Sequence, residues 1–146
     1  MLTTTIFYLF LQCTNKKKTM GKFLVITNTN EAIRVSPDRI AYISSDGNYT
    51  TMVLTDKEER VFSFNLVAFE RIIEQQLGTE AQIFIRLGKS IIINSKFIYY
   101  VNVSKQQIIL ADLSFPNQFD LEASREALKA LKTVLEESTK SRRIGL

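Results

Sequence analysis

The sequence predicts a mainly β domain with two short helices. From residue 22 onward the chain consists mostly of short runs of strand-forming residues, which turn residues such as Gly, Asn and Asp separate. Only two stretches place apolar residues at helical spacing, and several strand-like runs lie between them. With 146 residues, of which 45% are apolar and 23% charged, the chain is large enough to bury the core of one domain.

The first nineteen residues differ in character from the rest. An apolar run over residues 6–11 precedes three lysines at 16–18. The run is too short to cross a bilayer, and its charges follow the apolar stretch, which reverses the order of a secretory signal peptide. Met20 reads like a natural start. We therefore expect a disordered or non-native extension over residues 1–19, the domain over 20–139 and a basic tail over 140–146.

Five strand-like runs open the domain. They cover residues 23–26, 32–35, 40–45, 49–54 and 60–64. The first two flank a polar turn and predict a hairpin. Asp46 and Gly47 form a strong turn pair between the third and fourth runs, so the last three runs predict a meander.

The first helix should follow this meander. Asn65 can cap its N-terminus, and Gly78 can end it. Its apolar residues share one face: Leu66, Phe69, Ile73 and Leu77.

Strand patterning then resumes until a final helix. The predicted strands cover residues 83–87, 91–93, 97–103, 107–110 and 115–119. The helix should span about residues 122–137, with Asp120 as its cap. One face of it carries Ser124, Leu128, Leu131 and Leu135. Because strands lie between the two helices, the order speaks against a helix-turn-helix, and if the protein reads DNA, loops or strand ends must reach the bases.

The position of the charges is more informative than their sum. The formal net charge is +4, but the lysines at 16–18 supply three of those charges. Residues 81–111, in contrast, carry no Asp or Glu, and their bases are Arg86, Lys89, Lys96 and Lys105. Such a local positive field favours a polyanionic partner, although cations beside turns also keep strand ends soluble.

The residue inventory speaks against catalysis. The chain has no His, Cys13 is its single cysteine, and no phosphate-binding glycine loop or metal-ligand spacing occurs. The paired acids at 58–59 and 136–137 read as solvated charge. We expect no enzyme activity, no cofactor, no metal site, no membrane span and a location in the cytoplasm.

A motif at residues 84–94 points to a family. It reads Phe-Ile-Arg-Leu-Gly-Lys-Ser-Ile-Ile-Ile-Asn, and it resembles the signature of the LytTR DNA-binding domains of bacterial response regulators. There the pattern is Phe-Ile-Arg, two variable residues, a basic residue, Ser, apolar residues and Asn. Residues 40–49 resemble the family's first strand and turn, and residues 121–125 the start of its final helix. The resemblance covers about residues 40–135.

This resemblance implies an elongated stack of small antiparallel sheets whose loops enter successive major grooves of double-stranded DNA. Carried over by position, the base-reading residues are Tyr49, Lys89 and Arg125. The residues that contact phosphate or support the readers are Asn48, Arg86, Ser90, Lys96 and Ser124. The chain departs from the family pattern at Gly88, Ile91 and Glu126, where His, an aromatic residue and a basic residue are frequent.

Each reader also has a purely structural interpretation. Tyr49 could be a packed cross-strand aromatic, and Lys89 a solvated turn lysine, although its amine suits guanine O6 and N7. Arg125 lies in the first turn of the last helix, where the helix N-terminus attracts phosphate, but it could instead pair with Glu122 or Glu126. We interpret Asn94 as structural, bonding the backbone at a strand end.

The sequence thus predicts a bacterial transcription regulator that binds specific DNA sequences. Because three readers suit only a short half-site, we expect a dimer on paired half-sites. The segment before residue 40 is too short for a receiver domain, so we expect a stand-alone domain, with a separate signalling protein as one possible control. The alternative is a β-rich module that binds an acidic protein partner.

Overall fold

The computed structural model describes residues 22–144. This part of the chain folds into three small antiparallel sheets and two α-helices, so the predicted mainly β fold class is confirmed. The extension expected over residues 1–19 lies outside the described residues.

The first sheet is a hairpin of β1 (Leu24–Thr27) and β2 (Ala32–Val35). The central sheet contains β3 (Ile40–Ser45), β4 (Thr50–Leu54), β5 (Glu59–Phe62), β6 (Phe84–Leu87) and β7 (Ile91–Asn94), in the order β5-β4-β3-β7-β6. The third sheet contains β8 (Ile98–Asn102), β9 (Gln107–Asp112) and β10 (Phe115–Glu122), in the order β10-β9-β8. The helices are α1 (Leu66–Leu77), between β5 and β6, and α2 (Arg125–Ile144), after β10.

The central sheet lies between two hydrophobic cores. Ile92 of β7 packs into the first core, with the hairpin and α1, whereas its neighbours Ile91 and Ile93 pack into the second, with the third sheet and α2. Successive side chains of a strand point to opposite faces, so burial on both faces requires a continuous apolar run. This explains why β7 reads Ile-Ile-Ile rather than alternating with polar residues.

Helix α1 matches its prediction. The Asn65 side chain accepts a hydrogen bond from the Ala68 amide at 2.9 Å, and Gly78 ends the helix with φ at +58°. The buried residues of α1 are the four predicted ones: Leu66, Phe69, Ile73 and Leu77. Burying each such side chain contributes about 1.5–3 kcal/mol, which holds the helix on the sheet.

Helix α2 begins later and runs further than predicted. Asp120 belongs to the β10 ladder, where its carboxylate accepts a bond from Gln107 Nε2 at 2.9 Å, so the prediction that it caps the helix is wrong. Ser124 is the cap, since its hydroxyl accepts a bond from the Ala127 amide at 3.2 Å. The backbone stays helical to residue 144, through the stretch expected to be a basic tail.

Asn94 is fully buried at the end of β7. Its amide nitrogen donates to the carbonyls of Pro37, at 3.2 Å, and Ile40, at 3.0 Å, while its oxygen accepts from the Lys96 amide at 3.0 Å. A buried amide with these partners holds strand ends together, because leaving it unpaired would cost about 1–3 kcal/mol. The structural interpretation of Asn94 is confirmed.

Candidate nucleic-acid interface

Two predicted readers lie on adjacent turns at one end of the central sheet. Tyr49 belongs to the β3–β4 turn (residues 46–49), and Lys89 belongs to the β6–β7 turn (residues 88–90). β3 and β7 are antiparallel neighbours, with Ser44 opposite Ile91. The Ser45 amide donates to the Ser90 carbonyl at 2.8 Å, which ties one turn directly to the other.

The β3–β4 turn is held mainly by its own residues. The Ser45 hydroxyl accepts a bond from the Gly47 amide at 3.2 Å, and the Asp46 amide donates to the Tyr49 carbonyl at 3.2 Å. Gly47 has φ at +115°, which favours glycine. Tyr49 is 54% exposed and Asn48 is also exposed, so the Tyr49 ring is not a packed core aromatic.

The β6–β7 turn is held by a guanidinium. Arg86 Nε donates to the Gly88 carbonyl at 3.1 Å, and its Nη2 donates to the Lys89 carbonyl at 3.2 Å. Its Nη1 forms an ion pair with Glu70 Oε1 of α1 at 3.1 Å. Lys89 and Ser90 remain exposed at the tip of the turn. Arg86, expected to contact phosphate, therefore has three partners within the protein.

The third predicted reader lies beside the third sheet. Arg125 is the exposed first residue of α2, directly after its cap Ser124. It lines a shallow depression with Lys132 and with residues 101–104, which end β8 and begin the β8–β9 turn. The Ala123 amide donates to the Gln106 carbonyl at 3.2 Å and fixes this helix start against the same turn.

Two of these neighbours were missed by the sequence analysis. Lys132 lies two helical turns beyond Arg125, so the helical period alone could have placed both cations on one face. Glu70 has no comparable signal, because its pairing with Arg86 depends on how α1 packs against the central sheet.

Lys96 already has an acidic partner. Its Nζ lies 2.7 Å from Asp38 Oδ1, and the two side chains are 51% and 65% exposed. Exposed ion pairs contribute only about 0–1 kcal/mol, so exchanging this carboxylate for a phosphate would cost little.

Within residues 22–144, local contacts shift the pKa of Tyr42 and that of Asp112. Burial raises the pKa of the Tyr42 hydroxyl, and the Glu59 carboxylate raises it further. Hydrogen bonds from the Ser114 hydroxyl and amide lower the pKa of Asp112. Within residues 22–144, no helix is long and apolar enough to span a membrane.

Comparison with known proteins identifies the family. The model of the LytTr DNA-binding domain matches residues 30–136. Among solved structures, the LytTr DNA-binding domain of a Bacillus cereus response regulator superposes with a TM-score of 0.55 at 17% identity, covering 78% of this chain and 96% of that one. A search of curated proteins gave no match. Since the family model spans well over half of the sequence, the chain belongs to the LytTR family of DNA-binding domains, which makes it a DNA-binding protein with a role in transcription regulation.

Proposed function

We propose that the protein is a bacterial transcription regulator that recognises specific double-stranded sequences by inserting turns into the major groove. The observation that carries this proposal is the Ser45–Ser90 backbone bond of 2.8 Å, which joins the turns of Tyr49 and Lys89 at one end of the central sheet. Two exposed polar side chains on adjoining turns suit the edges of neighbouring base pairs in one groove.

The three readers have different chemistry. Lys89 can donate to guanine O6 and N7, and Arg125 can do so with a bidentate fork. The Tyr49 hydroxyl can bond either a base edge or a phosphate. Because Arg125 lies beside the third sheet, we assign it to a different stretch of the duplex from the other two.

Phosphate contacts should fix the register without reading sequence. Asn48 and Ser90 are exposed on the two turns, Ser124 lies at the N-terminus of α2, and Lys96 can exchange Asp38 for a phosphate. Arg86 has a supporting role instead, because its guanidinium donates to the Gly88 and Lys89 carbonyls of its own turn. These roles need no catalytic group and no cofactor, in keeping with a cytoplasmic regulator that is not an enzyme.

We further propose binding as a dimer on two half-sites. Each base contact discriminates by about 1–3 kcal/mol, so three readers define a short half-site and not a unique genomic address. The half-sites should lie a whole number of helical turns apart, about 10–10.5 bp each. Inserting half a turn should abolish cooperative binding in gel-shift titrations, and unchanged cooperativity would refute this arrangement of half-sites on one face of the DNA. We also propose that a separate signalling partner controls this binding. The same gel-shift titrations, repeated with candidate proteins added, should show a change in DNA affinity.

In vitro selection from random duplexes tests the main proposal. After selection, the winning duplex should outcompete bulk duplex by on the order of 10³-fold or more at physiological salt. The rival function is that of a β-rich module that binds an acidic protein partner. Two exposed apolar residues on edge strands favour it: Val61 of β5 and Tyr99 of β8. Such a module would enrich no sequence, and equal competition by all duplexes would reject the DNA-reading proposal.

A further inference from the structure

We propose that Arg86 is a positioning residue that sets the shape of the β6–β7 turn and thereby aims Lys89, and that Glu70 of α1 is its anchor. The inference rests on the proposed function, since Lys89 needs a base to read. It gives Arg86 a different role from a phosphate ligand and brings Glu70, which the sequence did not single out, into the recognition machinery.

The turn itself offers little to fix its shape. The pairing of Leu87 with Ile91 closes the ladder and leaves residues 88–90 outside it. Gly88 has φ at +71°, and a side chain added there would meet no atom within 4 Å. All three residues of the turn are exposed. A turn without packing depends on its hydrogen bonds for a defined conformation.

Arg86 supplies such bonds to consecutive peptide groups. One planar guanidinium donates to the carbonyls of Gly88 and Lys89, at 3.1 and 3.2 Å. Because the guanidinium is rigid, fixing both carbonyls to it fixes the peptide on either side of the Lys89 α-carbon. The direction in which the Lys89 side chain leaves the turn follows from those two peptides.

Glu70 fixes the guanidinium from the other side. Arg86 lies opposite Ile92 in the ladder, on the sheet face of the first core, where α1 packs. The Arg86 and Glu70 side chains are 29% and 36% exposed, and their atoms Nη1 and Oε1 lie 3.1 Å apart. A carboxylate this close offsets the Arg86 charge. Arg86 is therefore poorly suited to bind a phosphate and well suited to hold the turn in place.

Binding assays with three variants separate positioning from phosphate contact. If Arg86 positions Lys89, Arg86→Lys keeps the charge but loses the fork, and preference at the Lys89 base pair falls roughly tenfold, as in Lys89→Ala. The double variant should show little further loss, because both changes remove one contact. If Arg86 contacts phosphate, Arg86→Lys retains sequence preference, and Arg86→Ala weakens all duplexes equally with a salt slope lower by about 1.

Glu70→Ala gives opposite results under the two roles. Positioning predicts lost preference at the Lys89 base pair, whereas a phosphate role predicts a freed Arg86 that binds every duplex more tightly with preference intact. Glu74→Ala is the matched control, because it removes an exposed acid from the same helix one turn further on. It should leave base preference unchanged, and a loss equal to that of Glu70→Ala would overturn the proposal.

A measurement without DNA keeps this test separate from the proposed function. Backbone 15N order parameters at residues 88–90 should fall in Arg86→Lys and Glu70→Ala, and stay at the wild-type value in Glu74→Ala. Unchanged order parameters in the first two variants would overturn the positioning role even if DNA is read. If the wild-type protein selects no DNA sequence, the proposed function is rejected, and so is the role of Arg86 in aiming a base-reading residue. The order parameters would still decide whether Arg86 shapes the turn.

Discussion

The two turns at the end of the central sheet that carry the proposed readers Tyr49 and Lys89 are ordered in different ways. The β3–β4 turn of Tyr49 is closed by bonds among residues 45–49, next to each other in the chain. The β6–β7 turn of Lys89 is closed by Arg86, whose own anchor Glu70 lies sixteen residues away on α1. Both turns are closed by bonds between residues close in the chain, but in the second turn the closing side chain is itself held by a residue of a packed helix.

This difference has a functional consequence. A change inside α1 should alter how Lys89 meets DNA and leave the Tyr49 turn as it is. The two turns still share the Ser45–Ser90 bond, so the proposed recognition surface is continuous but has two separate sources of order.

The largest expected effect comes from Phe69→Ala. Phe69 is fully buried in α1 and contacts the rings of Phe62 and Phe64, each at 5.7 Å between centroids. Denaturant unfolding should show a loss of about 3–5 kcal/mol. Because α1 carries Glu70, 15N order parameters should fall more at residues 88–90 than at 46–49.

Leu128→Ala is the control for that variant. Leu128 is fully buried in the second core, which includes no residue of α1, so Leu128→Ala should cost about 2–5 kcal/mol and leave the Arg86–Glu70 pair in place. Equal loosening of both turns in Phe69→Ala would show that α1 does not order the Lys89 turn selectively.

Alanine at the two turn glycines should give a smaller effect. Gly47 has φ at +115° and Gly88 has φ at +71°, and a Cβ at either position would meet no atom within 4 Å, so strain alone sets the cost. The φ of Gly88 lies near the left-handed region, where an alanine costs about 1–2 kcal/mol of stability. The φ of Gly47 lies outside that region, so an alanine there should cost more. Thermal unfolding should rank Gly47→Ala as the less stable variant, and the reverse order would contradict this account of the local turn.

Ser45→Ala should have the smallest effect. It removes the hydroxyl that accepts from the Gly47 amide at 3.2 Å, in an exposed turn. The expected loss is about 0.5–1 kcal/mol in chemical denaturation, because solvent can replace the bond. Order parameters should change at residues 46–49 only, and a matching change at 88–90 would mean that the two turns are ordered together.

Local patterns predicted much of the fold. Periodicity and the Asn65 cap predicted α1 with its buried face, and turn residues predicted the central meander. The 3-10 helices were missed, since three to six residues carry no period: Pro37–Arg39, Gly78–Ile83 and Ser95–Phe97. The cap of α2 was misplaced because Asp120 is as good a cap residue as Ser124, and only the β10 ladder decides between them.

The parts of the candidate site that depend on neighbouring residues in the chain could be predicted from the sequence. The motif at 84–94 named Lys89, and the Asp46-Gly47 turn placed Tyr49 near an exposed tip. Neither pattern contains the contact between Arg86 and Glu70, because that ion pair exists only once α1 has packed on the sheet. The two turns likewise come together only because β3 lies beside β7, and these two strands are not consecutive in the chain.

The most direct test of the central claim is the base preference of Lys89→Ala and Arg125→Ala at the selected site. Both side chains are exposed, so circular dichroism should show an intact fold. Each change should weaken binding of the selected duplex by about 1–3 kcal/mol and relax preference at its own base pairs, separate from those of the other. Folded variants that bind the selected duplex with wild-type affinity and preference would contradict the assignment of these residues as readers.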